Sequence, residues 1–89
     1  MASGVIKLPT NTYGNQITLT AGAEYTAPSD GYLIAQHRTS GSIASISING
    51  TTAVNQQATS STWAVVSMYM RSGQKATPYG SNAYFIPFA

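Results

Sequence analysis

The chain has 89 residues, a mass of 9.3 kDa and no cysteine, which predicts one small domain without a disulfide framework, thiol nucleophile or zinc knuckle. Charged residues make up only 7% of it, against a typical value of about 25%, while 43% is apolar, so we expect a folded chain. Its four Lys and Arg residues are too few and too scattered to form the basic surface of a nucleic-acid-binding protein.

Glycine and proline recur at short intervals, and the runs between them are rich in Ile, Val, Thr and Tyr, which is typical of β-strands. No run has the length and the 3.6-residue periodicity of a helix. In chain order, strands are predicted at Val5 to Leu8, Gln16 to Thr20, Ala23 to Thr26, Tyr32 to Arg38, Ile43 to Ile48, Thr51 to Gln56, Thr62 to Arg71, Lys75 to Thr77 and Ala83 to Phe88.

These elements predict an all-β fold, a compact antiparallel β-sandwich or jelly roll of about eight short strands. Residues 1–14 are predicted to form an N-terminal arm and residues 15–89 the β domain. Tight turns are expected at Asn49-Gly50, at Pro28 to Gly31 and at Arg71 to Gln74, because their residues tolerate turn torsions. Asn49 also fits the N-glycosylation pattern, but the hairpin explains the same residues.

Alternation along a strand sends neighbouring side chains to opposite faces. The predicted strand Thr62 to Arg71 is largely apolar on both faces, and so is the C-terminal strand. A strand in a two-layer sandwich buries only one face, so we expect a second subunit to cover the other; the alternative is a long loop of the same chain. The residues assigned to the core or the subunit interface are Trp63, Val65, Met68, Met70, Tyr84 and Phe88.

Residues that could support catalysis or metal binding are scarce. Asp30, His37 and one of many serines could supply a triad by composition alone, but there is no G-x-S-x-G motif, and we predict no enzyme, no cofactor and no metal site. Tyr79 lies in a predicted Pro78 to Ser81 loop, where with Asn82 it could contact a glycan. The N-terminus lacks the features of a secretory signal, and no run is long enough to span a membrane.

Four segments occur together in the sequence: Glu24-Tyr25-Thr26-Ala27-Pro28-Ser29-Asp30-Gly31-Tyr32-Leu33, Ser47-Ile48-Asn49-Gly50, Arg71-Ser72-Gly73-Gln74-Lys75 and Tyr84-Phe85-Ile86-Pro87. In this combination the chain resembles the small jelly-roll domains of tailed-bacteriophage virion proteins, which include head decoration or cement proteins, head fibres and the tips of tail fibres and needles. The resemblance covers roughly Ala23 to Phe88. Each motif serves turn geometry and carries no chemistry.

The resemblance implies a tumour-necrosis-factor-like jelly roll, a homotrimer without enzymatic activity, located in the virion and made in the host cytoplasm. Because only a short arm precedes the first domain strand, we expect a capsid decoration protein that binds the major capsid protein or another virion protein. The arm residues assigned to the capsid contact are Val5, Ile6, Leu8 and Tyr13. The alternative is a fibre-tip or needle-tip adhesin that binds a host-surface carbohydrate through its Thr39 to Ser42 and Pro78 to Asn82 loops.

Overall fold

The computed structural model describes residues 13–88, so the predicted strand Val5 to Leu8 lies outside the described residues. Within that range the secondary structure consists of β-strands and contains no helix, hence no helix that could cross a membrane. The strands are β1 (Ile17–Leu19), β2 (Tyr25–Thr26), β3 (Gly31–His37), β4 (Ile43–Ile48), β5 (Thr51–Gln57), β6 (Ala64–Met70), β7 (Lys75–Tyr79) and β8 (Asn82–Pro87).

The strands form two antiparallel sheets of four strands each. The first sheet has the order β1-β8-β3-β6, and the second has the order β2-β7-β4-β5. Strand pairs are nested along the chain, since β1 pairs with β8, β2 with β7, β3 with β6, and β4 with β5. Two further pairs, β3 with β8 and β4 with β7, complete the sheets. The predicted all-β sandwich of about eight short strands is therefore confirmed.

Most predicted strand ends differ from the observed ones by one or two residues. The end of β7 is the informative case, because the strand continues through Pro78 to Tyr79 instead of stopping at Thr77. Pro78 has no N–H to donate. On one side of β7 its register partner in β4 is Ile46; on the other side, β2 pairs with Lys75 and Ala76 and does not extend to Pro78. The carbonyl of Pro78 accepts a hydrogen bond from the Gly22 N–H at 2.7 Å, on the side away from β4. The missing donor would point to that same side, so the proline costs no bond between β7 and β4.

The core lies between the two sheets and contains few large side chains. Phe85 and Leu33 from the first sheet, and Ile46 from the second, are fully buried, and Met70 joins them at the end of β6. Most other core positions hold alanine: Ala27, Ala35, Ala44, Ala58, Ala64, Ala76 and Ala83. Small side chains leave room for the Tyr25 ring, which packs 5.3 Å from that of Phe85. The apolar volume buried within one chain is correspondingly small.

The predicted Asn49-Gly50 hairpin is confirmed between β4 and β5. Asn49 has a φ of 51° and Gly50 a φ of 77°, the left-handed pair that a tight two-residue hairpin turn requires. The predicted turn from Arg71 to Gln74 is also present, closed by a 3.0 Å hydrogen bond from the Gln74 N–H to the Arg71 carbonyl. The second turn connects the two sheets, and both turns lie at the same end of the sandwich as the start of β3.

Candidate interaction surface

The outer face of the first sheet carries mainly apolar side chains. The register places Tyr32 opposite Tyr69 on one side and Ile86 on the other, and it places Ile34 opposite Tyr84. These residues point away from the core because their neighbours Leu33 and Phe85 point into it. We call this surface the aromatic face and define it by Tyr13, Tyr32, Ile34, Val65, Tyr69, Tyr84, Ile86 and Phe88.

Four rings of the aromatic face pack together into what we call the aromatic cluster: Tyr13, Tyr32, Tyr69 and Phe88. Phe88 is central, with ring centroids 5.4 Å from Tyr32, 5.8 Å from Tyr13 and 5.9 Å from Tyr69. The four side chains remain 55%, 36%, 44% and 38% exposed, respectively. Edge-to-face and stacked contacts of this kind stabilise one another, yet the rings still present a contiguous apolar surface to solvent.

Two charged residues, Asp30 and Arg71, act on Tyr69 of this cluster, and Arg71 lowers the pKa that Asp30 raises. The Asp30 carboxylate accepts a hydrogen bond from the Tyr69 hydroxyl at 3.2 Å and another from the Ser72 N–H at 2.9 Å. Its backbone carbonyl accepts the Phe88 N–H at 2.9 Å. Asp30 thus ties the start of β3, the turn after β6 and the C-terminal residues together. Partial desolvation, and after it the hydrogen bond and charge of Asp30, raise the pKa of Tyr69 above its usual value.

The outer face of the second sheet is polar by comparison. Ser45 of β4 lies opposite Asn55 of β5 and Tyr79 of β7, and Thr77 follows on β7. Tyr79 is exposed, as predicted, but it belongs to a strand and not to a loop. Ile43 is exposed at the start of β4, where no other large apolar side chain of this face lies opposite it. The outer face of the second sheet is therefore mainly polar and exposed to solvent.

The six residues assigned to the core or subunit interface separate by position. Met70 is buried in the core, and Met68 packs against it while half-buried. Tyr84 is half-buried on the aromatic face. The exposed members are Trp63, Val65 and Phe88. Trp63 lies just before β6, with the Arg38 guanidinium 5.3 Å from its ring centroid.

The arm and glycan residues are placed as follows. Val5, Ile6 and Leu8 lie outside the described residues, whereas Tyr13 forms a β-bridge with Phe88 and joins the aromatic cluster. Tyr79 is on the outer face of the second sheet, while Asn82 lies opposite Gln36 in the first sheet. The structure does not bring Tyr79 and Asn82 into one site.

The residues considered for catalysis are also separated. Asp30 precedes β3 and His37 ends it, so the extended strand holds them roughly 20 Å apart. His37 has a buried Nδ1 atom without a hydrogen-bond partner among the described residues. No three of the His, Asp and Glu residues within 13–88 come together as metal ligands.

A cleft of about 370 Å³ opens beside the end of β6 and the β4–β5 hairpin. Its lining residues are Ile48, Asn49, Met68, Tyr69, Met70, Gln74 and Lys75.

Comparisons with protein-family models, with curated proteins and with solved structures find no match to this chain.

Proposed function

We propose that this protein is a non-enzymatic structural protein of a bacteriophage virion, most simply a homotrimeric decoration protein that covers and stabilises the head. The observation that carries the self-association is the aromatic face. The nested strand pairing supports the assignment, because eight strands paired in this way follow the connectivity of a jelly roll, which is the fold that the sequence resemblance implies.

An exposed apolar surface of this kind favours association with another protein. Burial of apolar area contributes roughly 25 cal/mol per Å², and aromatic rings are enriched in the buried centres of interfaces. The small alanine-rich core adds to the argument, since it leaves a single chain with little internal burial to stabilise it. Covering the aromatic face supplies burial that the chain lacks on its own.

Self-association is tested by light scattering coupled to size exclusion. Tyr32→Lys places a charge at the centre of the aromatic face and is expected to abolish association through that face and lower the mass of the oligomer, because a buried unpaired ammonium group opposes the contact. Asn55→Lys makes the same charge on the exposed outer face of the second sheet and should leave the oligomer unchanged. Wild-type protein that is monomeric at high concentration would contradict the proposal.

The virion role is tested separately, by locating the protein in purified particles. A decoration protein is expected in many copies over the head, and heads stripped of it should lose resistance to heat or to low salt. Deleting residues 2–11 should abolish binding to heads while the oligomer persists, because the arm is proposed to contact the capsid. A few copies at the tail would instead support the adhesin alternative, for which exposed Tyr79 is the structural candidate.

A further inference from the structure

The β6 strand lies at an edge of the first sheet and pairs, among the described residues, with β3 alone. In an antiparallel ladder, the N–H and C=O groups of alternate residues point to the partner strand, and those of the residues between them point away. Val65 and Arg71 are of the second kind, because their N–H groups bind the side-chain Oε1 atoms of Gln56 and Gln74 at 3.0 and 2.9 Å.

Ser67 and Tyr69 lie between these two residues at the same parity, so their N–H and C=O groups point out of the sheet edge. No described residue is their partner. The two glutamines cap the N–H groups at either end of the edge, and its middle stays open. The strand Ala64–Met70 also has no charge and no proline, the features that usually protect an edge from pairing with another strand.

We propose that β6 pairs antiparallel with β6 of a second copy of this chain, about a two-fold axis at Ser67. The N–H of Ser67 then donates to the Ser67 carbonyl of the second copy, and the N–H of Tyr69 donates to the Val65 carbonyl, each bond occurring twice by symmetry. The glutamine side chains bind the N–H groups of Val65 and Arg71 and leave these four N–H and C=O groups without a partner among the described residues. The edge is therefore complementary to itself, as an interface with two-fold symmetry must be.

The side chains fit this register. It places Val65 opposite Tyr69 of the second copy, a β-branched and aromatic pair that stabilises antiparallel strands. It also places Arg71 opposite Trp63, whose exposed ring already attracts one guanidinium, that of Arg38. No like charges meet within the paired strands, since β6 has none. A second copy satisfies these pairs without any other partner.

The pairing joins two first sheets edge to edge into one continuous sheet, with both aromatic faces on the same side. It extends the aromatic face and does not cover it. Because a two-fold contact cannot lie within a trimer, each β6 pair would join one homotrimer to another, and the pairing does not depend on the association proposed above. It also does not depend on a virion location: particles that lack the protein would contradict the decoration role and leave the β6 pairing intact.

Ser67→Cys tests the axis directly, because the chain has no other cysteine. Directly opposed residues in a hydrogen-bonded antiparallel pair have Cα atoms about 5.5 Å apart, within the span of roughly 4.4–6.8 Å that a disulfide bridges. Mild oxidation is expected to convert most of this variant to a covalent dimer. Asn55→Cys, on the edge strand β5 of the second sheet, is the matched control and should stay mostly reduced. Equal cross-linking of the two variants would overturn the proposal.

The cross-link should also form in the Tyr32→Lys background, which separates the edge contact from the aromatic face. If Ser67→Cys instead cross-links preferentially to a chain carrying Lys7→Cys, the N-terminal segment occupies the edge and the β6 pairing is wrong.

Ser67→Pro provides an independent test. The Ser67 N–H makes no bond to β3, so proline removes only the donor that faces the free edge, where proline is tolerated. In the Tyr32→Lys background, where the aromatic face does not associate, Ser67→Pro should keep its circular dichroism spectrum and bind a second copy at least tenfold more weakly, whereas Ser67→Ala should pair normally. A folded Ser67→Pro protein that pairs as strongly as Tyr32→Lys alone would overturn the proposal; an unfolded one leaves the decision to the cross-link.

Discussion

The outer faces of the two sheets differ although the sheets have the same size and the same nested connectivity. In the second sheet, β4 buries Ala44 and Ile46 in the core and turns Ser45 outward, and its exposed isoleucines, Ile43 and Ile48, lie only at its two ends. In the first sheet, β3, β6 and β8 place large apolar side chains on both faces. The outer face of the second sheet is mainly polar, so solvent water satisfies it without a protein partner. The aromatic face exposes apolar area that a folded monomer has no way to bury, and this difference identifies the side on which assembly is expected.

The largest expected effect is a difference in stability between substitutions on the inner side and on the outer side of the first sheet. Phe85 is fully buried and Phe88 is exposed in the aromatic cluster, so the same deletion can be made on both sides. Phe85→Ala should lower the free energy of unfolding by about 3–5 kcal/mol, because it leaves a cavity between the sheets. Phe88→Ala should cost about 1 kcal/mol through its lost ring contacts, and it should weaken self-association. Urea unfolding at low protein concentration measures the loss of stability in both variants, and light scattering measures the weaker self-association of Phe88→Ala.

The comparison between inner and outer sides would fail if the two alanine variants lost equal stability as monomers. Where Phe85→Ala is too unstable to purify, Phe85→Leu keeps most of the volume and should show a smaller loss in the same direction.

The strand faces were predictable from the sequence, but which face is the core was not. Alternation separates Val65 and Tyr69 from Val66 and Met70 without any structure. Both sets are apolar, however, and only the pairing of β6 with β3 directs Met70 inward and Tyr69 outward. Local pattern therefore establishes that a strand has two apolar faces, while long-range register determines how each is used.

The aromatic cluster was missed for the same reason. The sequence places Tyr13 in the arm, whereas in the structure it meets Phe88 through a bridge between the two ends of the described chain. Tyr32 occupies an alternating position in a predicted strand, which indicates an outward side chain, but no local signal indicates which rings it meets. The sequence pattern ends a strand before Pro78, but whether a proline is tolerated within β7 depends on which neighbouring strands are present, and the local sequence does not show that.

A smaller loss of stability is expected for a substitution in the second sheet. Gly50 has a φ of 77°, and alanine in that left-handed region costs about 1 kcal/mol even though a Cβ would meet no atom there. Gly50→Ala should therefore lower the thermal unfolding midpoint and leave the oligomer unchanged, because the β4–β5 hairpin belongs to the second sheet. Asn49→Gly is the matched control and should change stability little. A change of oligomeric state in Gly50→Ala would mean that this end of the second sheet also takes part in assembly.

The smallest effect concerns the negative charge of Asp30 beside the aromatic cluster. In the folded protein the pKa of Tyr69 is raised, first by partial desolvation and then by the hydrogen bond and charge of Asp30, whereas the unfolded residue ionises near pH 10. A raised pKa means that the folded state holds this proton more tightly, so its contribution to stability is complete below pH 10 and is lost as pH rises through the folded value. The difference in unfolding free energy between wild type and Tyr69→Phe should thus be constant below pH 10 and decrease above it. Asp30→Asn removes the negative charge beside the hydroxyl and should bring the ionisation of Tyr69, followed by its ring resonances, to lower pH. An ionisation that stays in place in Asp30→Asn would show that the aromatic cluster, and not the carboxylate, controls Tyr69.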